Sequence, residues 1–97
     1  MKHPEFKNLS VFLSAWFNQD YDLNGDNIYE IVAKFKESVS QSEAMEVHSD
    51  ISKFLIEYKG KVGEQLQRYF ELEVDPLGFS ASVEDFLLDI NEALLTH

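Results

Sequence analysis

The chain has 97 residues, no cysteine, and 18 acidic against 8 basic side chains, for a net charge of −10. That length suits one domain standing on a single apolar core, and the missing thiols exclude disulfides, thiolate metal sites and cysteine nucleophiles while fitting a reducing cytoplasm. The charge disfavours nucleic acid and anionic lipid as partners and favours a cationic protein, while Ser10 and Ser14 interrupt the only apolar run near the N-terminus, so neither export nor membrane insertion is expected.

Two prolines and four glycines punctuate an apolar spacing that is otherwise helical. Phe6, Leu9, Leu13, Trp16 and Phe17 fall on one stripe, widened by Phe12, and Pro4 sits just ahead where a helix start tolerates it. A second helix opens with Asn27 as N-cap and Glu30 three residues on, and buries Ile28, Ile31, Val32 and Phe35. The third starts at Ser40 or Ser42, with Ser40 and Glu43 at capping-box spacing, and carries Ala44, Val47, Ile51, Phe54, Leu55 and Tyr58 towards Gly60. Val62, Leu66, Tyr69 and Phe70 mark a fourth helix, weakened by Gly63 and expected to end near Leu72.

Pro76 and Gly78 then make residues 73–80 a loop in which Val74, Leu77 and Phe79 tuck inward. Ser82 caps a last helix, with Asp85 at its third position and Val83, Phe86, Leu87, Ile90 and Leu94 inside. The reading is all-α, a compact single-domain bundle of about five short helices spanning 1–97, with Leu13, Trp16, Phe35, Phe54, Leu55, Phe70, Phe86, Leu87 and Ile90 at the centre of one core.

Between the first two helices, Asp20, Asp22 and Asn24 alternate ahead of Gly25, as in a helix–loop–helix calcium site. A loop starting at Asp20 needs a bidentate carboxylate at its twelfth position, and that position is Ile31, with Glu30 one residue early. Its eighth position, expected to be apolar, is Asn27, with Ile28 one place late, so no single shift repairs both mismatches. Asn27 and Glu30 suit a helix cap, and Asp22, Asn24 and Gly25 suit a turn.

His3 and His97 lie at opposite ends, and His48 has no ligand at metal spacing. The succession His48, Ser49, Asp50 fails as a hydrolytic triad, since neighbours on a helix point about 100° apart; it reads as a solvated face. No phosphate-binding glycine loop occurs, so no enzyme, metal or cofactor is expected.

The charge is uneven. Residues 63–97 hold eight carboxylates and a single Arg68. Asp85, Asp89 and Glu92 repel one another along the last helix, and the macrodipole opposes the later two, a pattern that suits recognition as well as a merely solubilising surface. Glu71, Glu73, Asp75, Glu84, Asp85, Asp89 and Glu92 are therefore the candidate binding surface, with Asp20, Asp22 and Asp26 as secondary candidates. Because Asp85 and Asp89 lie off the apolar stripe, reversing both to lysine is expected to spare the fold.

The aromatic helix ending Trp16, Phe17, Asn18, Gln19, Asp20, Tyr21, Asp22, the pair Gly25 and Asp26, and the apolar positions Ile28, Ile31, Val32 and Phe35 resemble the bacterial immunity proteins of contact-dependent growth inhibition, a small helical CdiI-type family. The likeness continues through the serines at 40 and 42, the stretch from Phe54 to Tyr58 and the helix of Phe86 and Leu87, and so covers nearly the whole chain. It departs at Tyr21, often tryptophan in the family, and more after Gly60. The resemblance implies a cytoplasmic antidote that binds the toxic C-terminal domain of a cognate effector and blocks it without chemistry of its own. Many such domains are nucleases, whose cationic surfaces would complement this chain; the interface itself is inferred from charge. Two alternatives stay open: a calcium-binding helix–loop–helix module, and a bacteriocin-type nuclease inhibitor, although the paired tyrosines and proline of the latter are absent.

Overall fold

Three helices begin where a side-chain oxygen accepts the backbone N–H three residues on. Asn27 Oδ1 takes the Glu30 N–H at 3.0 Å, Ser40 Oγ the Glu43 N–H at 3.1 Å, and Ser82 Oγ the Asp85 N–H at 3.0 Å. The computed structural model describes residues 6–70 and 74–95. Its helices are α1 (Lys7–Trp16), α2 (Ile28–Ser38), α3 (Gln41–Glu57), α4 (Val62–Tyr69) and α5 (Val83–Leu95), with single 3-10 turns at Tyr21–Leu23 and Pro76–Gly78. Ser40 is thus the cap of α3 rather than Ser42, and the fold is all-α.

The fourth helix stops short of its expected end: Phe70 already has extended dihedrals (φ −127°, ψ 135°) and turns its ring into the core. Leu72 lies outside the described residues, as do Pro4, His3 and His97. Between α3 and α4 the Lys61 N–H closes onto the Tyr58 carbonyl at 2.7 Å, and Gly60 takes φ +84°, the value a type II turn requires of its third residue.

α5 is the hub. It packs against α2, α3 and α4, while α1 lies across α3. The core is continuous through all five helices and sets seven phenylalanines among aliphatic side chains. Phe12 and Phe35 meet edge-on at 4.7 Å, Phe6 and Phe54 at 5.1 Å, and Phe17 and Phe86 at 5.3 Å, geometries that add to the area they bury. Among the expected core residues, Trp16 and Leu55 are only partly buried. Leu55 lies one helical step from fully buried Phe54 and faces the rim, while Trp16, at the last turn of α1, leans on Phe35 with ring centroids 5.7 Å apart.

In the loop before α5 the expectation for Leu77 is wrong. The side chain is 60% exposed, because Asp75 caps the 3-10 turn through Leu77 N–H and Pro76 takes the inward position. Val74 and Phe79 do pack on the core. Among the described residues no helix is long and apolar enough to cross a membrane.

Candidate functional site

The loop joining α1 to α2 is held by its own side chains. Asn18 Nδ2 donates to the Ser14 and Ala15 carbonyls and thereby closes α1, and Asn18 Oδ1 accepts the Asp20 N–H at 2.9 Å. Glu30 Oε1 accepts the Asp26 N–H at 2.7 Å, so the carboxylate nearest the twelfth position of a calcium loop is engaged as half of a capping box shifted by one residue. Gly25 is required here for closeness rather than for a left-handed backbone: a Cβ on it would stand 2.5 Å from Glu30 Cβ. Asp20, Asp22 and Asp26 remain exposed around this turn.

The turn is tied to α5 through aromatic rings. Tyr21 packs edge-on against Phe79 at 5.0 Å, and Phe79 contacts Phe17 and Phe86. The next residue, Ser80, donates its hydroxyl to Asp89 Oδ2 at 2.7 Å. The first loop therefore packs, through Tyr21, beside the segment that leads into α5.

Along α5, Phe86, Leu87, Ile90, Ala93 and Leu94 face the core. At 100° per residue this leaves Glu84, Leu88, Glu92 and Leu95 as the outward row, with Asp85 and Asp89 flanking it on the α2 side and Asn91 on the α3 side. Leu88 is 44% and Leu95 53% exposed. On α2, the Tyr29 phenol stands above its ordinary pKa of 10.0, first through partial loss of solvent, then through the negative charges of Glu92 and Asp89 and a hydrogen bond to Glu92. The packing of α2 against α5 places Tyr29 beside this acidic row.

Not every candidate is equivalent. Glu71 and Glu73 lie outside the described residues. Asp75 is exposed but serves as a cap. Asp89 is half-buried and holds Ser80, so a lysine there would lose that bond beside the Phe79 cluster, a cost that its place off the apolar stripe does not reveal. Glu84 and Glu92 are the exposed acids of α5, with Asp85 half-buried beside them and two exposed leucines between and beyond them.

Three polar contacts escape the sequence. Asp50 is 5% exposed, not solvated, and its Oδ2 accepts the Leu9 N–H at 3.0 Å. His48 Nδ1 meets Asn91 Oδ1 at 2.8 Å while Asn91 Nδ2 donates to Ser52 Oγ at 3.2 Å, which ties α3 to α5. Lys36 Nζ donates to the Ala93 carbonyl at 2.8 Å, bringing from α2 the cation that the last turn of α5 lacks in its own sequence. A buried acid among Ile51, Val47 and Phe54 is the only signal that would have found the first; nothing local announces the other two.

A family model described as CdiI immunity protein matches residues 5–94. No curated protein and no solved structure matches the chain.

Proposed function

We propose, from the premise that the chain belongs to the CdiI immunity protein family, that it works in the cytoplasm by binding the cognate toxin domain through the outward face of α5 and that this toxin is a nuclease. The observation that carries the reading is the pair of Glu84 and Glu92 on the outward row, flanked by Asp85, on a helix that contains no lysine or arginine. A nuclease must bring phosphates to its active site and so presents a cationic surface, which a row of carboxylates can occupy in place of the nucleic acid. The inhibition needs no catalytic group on this side: occupancy of the substrate surface suffices.

Stopped-flow association with the purified toxin domain tests the interface. The double variant Asp85→Lys/Glu92→Lys is expected to associate about tenfold or more slowly than the wild type and with a flatter salt dependence, because long-range attraction acts mainly on encounter. Unchanged rates and salt slopes would remove α5 from the interface, and the exposed carboxylates of Asp20, Asp22 and Asp26 would be the next to reverse. Nuclease activity is read separately, by incubating the free toxin domain with RNA and DNA; intact nucleic acid would refute that part of the proposal.

A further inference from the structure

We infer that the toxin domain anchors an apolar side chain in the groove where α2, α3 and α5 converge, so that this groove and the acidic row of α5 form one docking surface. The inference rests on the reading of the chain as an immunity protein and adds to it the place where binding energy is concentrated.

The groove encloses about 710 Å³, within the range of pockets that bury a substantial ligand group. Its walls are Ala33, Ala44, Met45, Leu94 and Leu95. Two alanines keep it open, and Met45, at 40% exposure, is a flexible thioether that can mould itself to an incoming side chain. Lys36 contributes its alkyl stem, since its ammonium is directed onto the Ala93 carbonyl. Glu37 and Gln41 form the polar rim.

Leu95 belongs both to this groove and to the outward row of α5, so the acidic face runs into the apolar one without a break. That continuity, together with the charge, selects the occupant. A second copy of the chain would bring another net charge of −10 against Glu37 and Glu92, and nucleic acid or anionic lipid would meet the same repulsion. A cationic protein with an apolar side chain set among its basic residues satisfies both halves of the surface. In such an interface the outlying charges govern encounter, while a buried apolar anchor governs how long the complex lasts.

The two contributions separate kinetically. With the purified toxin domain, Ala33→Phe, which fills the groove from an exposed position on α2, and Met45→Asp, which puts a carboxylate in its wall, are each expected to raise the dissociation rate about tenfold or more while leaving the association rate and its salt slope within about twofold. Circular dichroism and a melting curve accompany each variant. Leu95→Ser, at an exposed position in the last turn of α5, replaces either one that loses its helical signal. Wild-type dissociation rates in variants that keep their fold would overturn the groove as the anchor while leaving the immunity reading intact. Failure of the wild-type protein to bind the toxin domain would overturn the immunity reading, and the groove with it.

Discussion

At Asp50 a buried carboxylate does for α1 what Ser40 does for α3, but from a position 41 residues away along the chain. Phe6, at the N-cap of α1, offers no side-chain acceptor, and the first turn contains no acid. Asp50 Oδ2 therefore satisfies a donor in that first turn and places negative charge at the positive end of the helix macrodipole. Asp50→Ala is expected to cost about 2–3 kcal/mol, because it leaves the Leu9 N–H without its acceptor in a dry environment. Asp50→Asn keeps an acceptor and loses the charge, and should cost about 1 kcal/mol. Urea unfolding measures both against Ser49→Ala, an exposed neighbour. Equal midpoints for Asp50→Ala and Ser49→Ala would show that α1 does not depend on this contact.

Element by element, the readable parts of the fold are those whose cause is local. The starts of α2, α3 and α5 follow from Asn27, Ser40 and Ser82 because a cap and its N–H lie three residues apart, and the buried faces follow from the 3.6-residue period. What brings α1 and α5 their missing end partners, Asp50 and Lys36, depends on tertiary contacts 41 and 57 residues apart, which no window on the sequence contains. The same division holds for the site. The acids of α5 are visible as residue types, but the engagement of Asp89 by Ser80 and the meeting of three helices around Met45 arise only on packing.

Glycines sharpen the contrast between local and tertiary causes. In α4, a Cβ on Gly63 would meet Val83 at 3.4 and 3.6 Å, an ordinary contact, so helix propensity decides and Gly63→Ala should stabilise by up to about 1 kcal/mol. At Gly25 the same change puts a methyl 2.5 Å from Glu30 Cβ and 3.0 Å from the Ile31 nitrogen, and should destabilise by about 1–3 kcal/mol as the loop withdraws from α2. Thermal unfolding should move the two melting temperatures in opposite directions. A stabilised Gly25→Ala variant would mean that this loop yields freely.

For the whole molecule, a net charge of −10 on a radius of gyration of 12.2 Å sets two quantities that salt must move in opposite directions. In the free protein the carboxylates repel one another across distances comparable with the Debye length, about 10 Å at 0.1 M, so added monovalent salt should raise the melting temperature. In the complex the same screening removes attraction to a cationic partner, so affinity should fall over the same range, chiefly through slower association. Calcium separates a general charge effect from a specific site. At matched ionic strength and millimolar concentration it should stabilise no more than magnesium, because Glu30 is engaged on the Asp26 N–H and Ile31 stands where the twelfth-position carboxylate is needed. A calcium-specific rise of several degrees, abolished in Asp20→Ala or Asp22→Ala, would turn the first loop into a metal site. A melting temperature that falls with monovalent salt would show that opposite-sign pairs outweigh the self-repulsion, and the acidic face would then lose its standing as a surface kept charged for a partner.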